Sequence, residues 1–150
     1  MINKKFDKIL DSVVTIFILT LFLGTIFEWI TLSADIPNHL DAVGNIKDYV
    51  SKNFLFFLSI LGSGLGVASL KLSKHPEMYN YIVTLTSKNR EIQYAIATRM
   101  VKLLAIEVLL IFGYLEYCMI YAKINSGVYI ILMSLFVTLI YYVAKSIKHK

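Results

Sequence analysis

Four runs of apolar residues dominate the chain: Val13–Leu32, Phe54–Leu72, Leu103–Ala122 and Val128–Ala144. Each is close to the roughly 20 residues that a helix needs to cross a hydrocarbon core at 1.5 Å rise per residue. Polar connections separate them, whereas a soluble domain spreads its apolar residues along the chain at helix or strand periods. The hydrophobic share, 57% of 150 residues, exceeds the roughly 45–50% of soluble domains. The expected fold is all-α: one membrane domain over residues 1–150 with four transmembrane helices. An outer loop covers 33–52 and an inner loop 73–99. The fourth run is the shortest, and still spans if its ends snorkel or the bilayer thins.

The first run follows Lys4, Lys5 and Lys8, as a secretory signal does, but it outlasts the roughly 7–15 apolar residues of a signal peptide and lacks a clear A-x-A site. It reads as a retained helix. The short Lys123–Gly127 connection makes the third and fourth runs an antiparallel hairpin. Basic residues set the orientation, because cytoplasmic flanks carry an excess of Lys and Arg. Lys4, Lys5, Lys8, Lys71, Lys74, Lys88, Arg90, Arg99, Lys102, Lys145, Lys148 and Lys150 fall on one side, and only Lys47, Lys52 and Lys123 on the other. Both termini are therefore expected on the cytoplasmic side. Phe27, Trp29, Tyr121 and Tyr129 sit near the outer boundary and Tyr141 and Tyr142 near the inner one, at headgroup depth.

The net charge of +5 lies at the ends of the apolar runs rather than on one soluble face. Anionic headgroups are thus the expected electrostatic partner, and nucleic acid is not. Cys118 is the only cysteine, which rules out an intramolecular disulfide. No HExxH, GxSxG, Walker or paired CxxC pattern occurs, and His39, His75 and His149 are divided between the two sides. An enzyme is not expected, nor a cofactor.

Polar residues inside the apolar runs carry the functional candidates. Gly62-Ser63-Gly64-Leu65-Gly66 lies mid-span, where no phosphate would sit; Gly62 and Gly66 form a small-xxx-small pair, extended by Ser59 and Ser69, for close helix packing. Glu28, Glu107 and Glu116 are carboxylates at membrane depth, costly unless each faces a partner or a cavity. Glu107 and Glu116 are nine residues apart, about 900° of helix rotation, so they point to opposite faces. Glu28 and Glu116 both lie toward the outer ends of their spans and are expected to approach each other. The outer loop holds Asp35, His39, Asp41 and Asp48, a set compatible with a metal but in no recognised ligand spacing, so no metal site is assigned. Glu28, His39, Glu107 and Glu116 together are the candidate ligand or ion residues. On the inner side, Ser87 is expected to cap a helix from Lys88, and Ile92, Ile96, Met100 and Leu103 give it an amphipathic face leading into the third span.

Two stretches resemble a known family. Asp35-Ile36-Pro37-Asn38-His39-Leu40, with Gly44 following, is similar to the I-P-T-H-F…G element after the first span of the membrane domain of unknown function 1648. Pro76, Asn80-Tyr81, Val83, Thr86, Asn89 and Gln93-Tyr94 resemble that family's P…N-Y-P-V-x-I-T-x-E-N…Q-Y element before the third span. The likeness covers roughly residues 12–122. It departs at Asn38, Leu40 and Ile82, where the family has Thr, Phe and Pro. In that family the domain often precedes an SdpI-type domain, as in bacterial immunity proteins that protect a cell against a secreted toxin and signal its presence. The resemblance implies a bacterial cytoplasmic membrane and a protein of binding, immunity or signalling type; Pro37, His39, Gly44, Asn80, Tyr81, Asn89 and Tyr94 are its family-motif positions, candidates by pattern only, and no residue role comes with them. The partner it implies is a secreted peptide or toxin, or another membrane protein; a homo-oligomer is also compatible with the glycine face. The alternative from the residues alone is a small transporter or ion-coupled component that uses the intramembrane glutamates.

Overall fold

The computed structural model describes residues 4–41, 45–123 and 127–150. Four helices in it are long and apolar enough to cross a membrane. They are α1 (Lys4–Thr31), α2 (Phe54–Leu72), α3 (Arg90–Tyr121) and α4 (Gly127–Lys148). α1, α2 and α3 pack on one another, and α4 packs chiefly on α3. The residues of α4 that become fully buried, Tyr142 and Ser146, both lie near its C-terminal end. Large apolar side chains instead cover the outside of the bundle: Phe27, Ile30 and Ile130 are 68%, 69% and 71% exposed. Water would penalise such a surface, and lipid does not.

Two expectations about the connections need correction. The segment read as an outer loop over 33–52 contains a β-hairpin, β1 (Asp35–Leu40) paired antiparallel with β2 (Ile46–Ser51), so the fold is not purely helical. Ile36 faces Val50 across this ladder and is 1% exposed, seated on Leu55, Leu58 and Met119. An apolar anchor on one strand face is enough to hold the register against the helices. The register shifts between Pro37 and Leu40, around Asn38, where proline has already removed a ladder donor. Gly44 of the family-like element lies outside the described residues.

The second correction concerns α3. Ser87 does not cap a helix at Lys88; helix begins at Arg90, and Thr86 and Asn89 clasp its start. The Asn89 Oδ1 accepts from the Thr86 amide at 2.7 Å, while the Thr86 Oγ1 accepts from the Asn89 amide at 3.3 Å. This reciprocal exchange has the bonding pattern of a capping box, with Asn in place of the usual Glu or Gln, set in the turn just ahead of Arg90. From there the amphipathic segment and the third span form one helix of 32 residues. At 1.5 Å per residue it is about 48 Å long, well beyond the roughly 30 Å of a hydrocarbon core.

The extra length forms a polar layer at the end of the bundle opposite the hairpin. Arg99 donates to both Asp7 carboxylate oxygens, at 2.6 and 3.1 Å, and Lys102 reaches Asp11 at 2.6 Å. Beyond this layer, Lys102 to Tyr121 is about 29 Å of helix, the thickness of a hydrocarbon core. Gln93 donates to the Ser146 and His149 carbonyls, each at 2.9 Å, and Ser146 Oγ donates back to Gln93 Oε1 at 2.6 Å. The start of α1 and the end of α4 therefore lie at the same end of the bundle. At the other end Lys52 stops α1. Its ammonium donates to the Trp29 and Leu32 carbonyls at 2.8 and 2.9 Å and lies 4.5 Å from the Trp29 ring centre. A cation there completes the last carbonyls of the helix and meets the negative end of its dipole.

α2 joins the bundle through its missing side chains. A Cβ on Gly62 would lie 2.8 Å from the Phe112 ring and 2.9 Å from Leu21, and one on Gly66 would lie 2.8 Å from Ile18. Gly64 faces open space. Gly62→Leu is therefore expected to lower stability by about 1–3 kcal/mol through overpacking. Gly64→Leu is expected to change it by less than about 0.5 kcal/mol. Thermal unfolding of both variants in the same detergent checks the difference.

Candidate functional site

The three glutamates of the apolar runs each face a hydroxyl on a neighbouring helix. The Thr25 hydroxyl of α1 lies 2.8 Å from both Glu116 Oε2 and the Leu21 carbonyl, so its one proton is shared between them, and Thr138 of α4 donates to Glu107 Oε1 at 2.8 Å. Tyr121 of α3 lies 3.4 Å from Glu28 Oε1, a long contact from its hydroxyl. In an apolar setting a hydroxyl is an effective partner, since neither group has water to turn to. The partners are incomplete, however. Glu107 Oε2 and Glu116 Oε1 are buried with nothing to accept from.

These carboxylates do not form one set. Glu28 and Glu116 are both among the residues that line a single cleft of about 450 Å³ between α1 and α3. Glu107 sits instead at the α3–α4 interface with Thr138. The half-turn between Glu107 and Glu116 around α3 separates them, and Glu107 is not among the residues that line the α1–α3 cleft, although Leu110 and Tyr114 on its own face are.

His39 belongs to a different place again. It stands on β1 opposite Asp48, with Nδ1 2.9 Å from Oδ1 and its amide donating to the same oxygen at 2.8 Å. Asn38 donates to Asp48 Oδ2 at 3.3 Å. The hydrogen bond from His39 is the main cause that holds the Asp48 carboxyl below its ordinary value of 3.8. Asp41 turns away to accept from Asn45 at 2.9 Å. Among the described residues no three His, Cys, Asp or Glu side chains converge as metal ligands would.

The hairpin does create a cleft. Pro37, Asn38 and His39 roof a hollow of about 460 Å³ whose walls come from Phe54 and Leu58 of α2 and from Tyr114, Leu115, Cys118 and Met119 of α3, with Val128 of α4 at the rim. Its surface is apolar except along the roof, where the His39 side chain is 70% exposed. Short strands can hold a polar roof here because Ile36 locks β1 to α2 and α3 one residue before Pro37.

The second family-like stretch builds structure at the opposite end. Tyr81 stacks between Tyr79 and Tyr94, at 6.2 and 5.7 Å between ring centres, and its hydroxyl donates to the Pro76 carbonyl at 2.8 Å. Burial is the main cause that pushes the Tyr81 phenol up to about 12. Asn89 clasps the start of α3 and also donates to the Thr84 carbonyl at 3.0 Å. Asn80 and Tyr81 border a small hollow with Gln93 and Tyr142. None of these residues approaches the hairpin cleft.

Sequence reasoning passed over the partners Thr25, Thr138, Asp7, Asp11 and Gln93. For the aspartates a signal was present: Asp7 and Asp11 are four apart and Arg99 and Lys102 three apart, so each pair shares one helix face. For the threonines no signal distinguishes them from other small polar residues in an apolar helix. Comparison with family models, curated proteins and solved structures returns no match to this chain.

Two outcomes follow from these contacts. Asp7 and Arg99 are 22% and 16% exposed, between a surface pair and a buried one. Arg99→Gln is expected to cost about 1–3 kcal/mol, and adding Asp7→Asn to recover part of the loss, in a double-mutant cycle of thermal unfolding. The Asp48 contact has the opposite pH sense to a base. Because its folded value lies below the ordinary one, its contribution is complete above the carboxylate range and is lost as pH falls through that lowered value. Hairpin amide protection, corrected for intrinsic exchange, should hold down to about pH 4 and drop below it. In Asp48→Asn it should be low throughout.

Proposed function

We propose that this chain is a multi-pass binding protein of the immunity or signalling type in a bacterial cytoplasmic membrane, with the hairpin outside and both termini inside. The observation that carries the reading is the hairpin cleft: a polar roof of Pro37, Asn38 and His39 over apolar walls, at the outer end of the bundle. An extended peptide with an apolar face suits such a hollow, its side chains against Leu58 and Met119 and its polar edge toward His39. The resemblance of Asp35–Leu40 to the element of domain 1648 supports the same place, because Pro37 and His39 are among its matching residues.

The orientation is supported by charge. The end that holds the Asp7–Arg99 and Asp11–Lys102 pairs also collects Lys4, Lys5, Lys8, Lys74, Lys88, Lys145 and Lys148, which belong on a cytoplasmic face. A peptide bound outside can act inside only through a second packing arrangement of the helices. Such a shift would be felt at the glycine face of α2, where Phe112, Leu21 and Ile18 of α3 and α1 seat directly on Gly62 and Gly66. A transport role draws less support, because Glu107 does not share a cleft with Glu28 and Glu116.

Protection of cells is the test. Cells that express the chain should survive a secreted peptide toxin that kills cells lacking it, and Leu58→Trp, which fills the cleft, should abolish protection while the protein stays in the membrane. Identical survival with and without the chain, across the toxins that kill the parent strain, defeats the reading. Orientation is checked separately in a Cys118→Ala background: an impermeant maleimide added to spheroplasts should label Lys47→Cys and leave Lys74→Cys unlabelled.

A further inference from the structure

The cleft between α1 and α3 lies on the other side of Tyr114 from the hairpin cleft, and it differs in chemistry. Its apolar walls include Phe17, Leu21, Leu109 and Ile131, and Gly24 and Gly113 leave it open between them. Two acidic residues, Glu28 and Glu116, are among those that line it, and no Lys, Arg or His does. Glu116 is 5% exposed and has one oxygen, Oε2, satisfied by Thr25. The other, Oε1, is buried without a donor. Along the same stretch of α3 stand three phenol rings, Tyr114, Tyr117 and Tyr121, with Tyr117 at 6.4 and 5.0 Å from its neighbours.

A buried carboxylate oxygen with no donor is costly, and a ligand that donates to it removes that cost. The surrounding features narrow the ligand. Two acidic groups without a basic partner favour a cation, and tyrosine rings add attraction to a cation near their faces. Walls of Phe, Leu and Ile accept a hydrocarbon chain but would not hold a free inorganic ion. We infer that the α1–α3 cleft binds the head of a cationic amphiphile, a primary ammonium donating to Glu116 Oε1 beside Glu28, with the tail along Phe17 and Leu109.

Dodecylamine is the probe, added to the full chain in nanodiscs of neutral phosphatidylcholine, with binding followed by native mass spectrometry and thermal unfolding. One dodecylamine should bind per chain, saturably, and raise the unfolding temperature. Dodecanol, which has the same tail and no charge, should bind at least about tenfold more weakly, a difference of about 1.4 kcal/mol. Dodecyltrimethylammonium, which cannot donate, should also fall behind dodecylamine. Glu116→Gln keeps a carbonyl for Thr25 and should weaken dodecylamine by at least about tenfold. Glu107→Gln, at the other interface, should leave it unchanged. A Cβ at Gly24 meets open space, so Gly24→Leu adds bulk to the cleft while keeping both carboxylates, and it should block binding even if Glu116→Gln fails to fold. The inference is overturned by equal binding of dodecanol and dodecylamine, by unchanged affinity in Gly24→Leu, or by equal losses in Glu116→Gln and Glu107→Gln.

Discussion

A polar side chain on a helix with an apolar surround lowers its cost by finding a partner, either a carbonyl of its own helix, as Thr15 and Ser134 do, or a group on the next helix. In this protein α3 supplies partners of the second kind. Asp7 and Asp11 of α1 reach its Arg99 and Lys102, and Thr25 and Glu28 of α1 reach its Glu116 and Tyr121. Thr138 and Ser146 of α4 reach its Glu107 and Gln93. The contacts run from one end of α3 to the other, so they fix its rotation as well as its position. α2 joins by shape instead, with Gly62 and Gly66 against Phe112, Leu21 and Ile18.

The consequences reach both clefts. α1 is tied to α3 at the polar layer and again at Thr25 and Tyr121; between these contacts Val14, Leu21, Ala105 and Leu109 form a buried core, and the α1–α3 cleft lies beside it. α4 is held at its far end by Gln93 and midway by Glu107, while its first turn only rims the hairpin cleft through Val128. Ile36 then closes the hairpin end by pinning β1 to α2 and α3. Each hollow thus lies between two anchored points rather than at a loose edge.

Some of the candidate site was legible and some was not, for reasons that differ by residue. The opposite facing of Glu107 and Glu116 follows from helix geometry alone, and it appears in the structure as two separate interfaces. The similar depth of Glu28 and Glu116 was legible, whereas the packing of α1 on α3 that puts both in the lining of one cleft was not. The pairing of His39 with Asp48 did not follow, because the connection was read as polar loop. Alternation over Ile46–Ser51 is only six residues long, and Pro37 and Asn38 interrupt the pattern over β1. Nor did the Thr86–Asn89 clasp, since Ser87 is an equally good capping residue and only the fold of the preceding loop chooses between them.

By itself the sequence determined four helices long and apolar enough to cross a membrane, where they begin to be apolar, and which end carries the basic residues. These are properties of composition and length, which a helix expresses one residue at a time. The tertiary structure alone decided which polar side chains meet, that the connection over 33–52 pairs as a hairpin, and which hollows open to a ligand. Those depend on the rotation and offset of one helix against another. An apolar stripe leaves both nearly free, and a few long-range contacts such as Asp7 to Arg99 and Thr25 to Glu116 settle them.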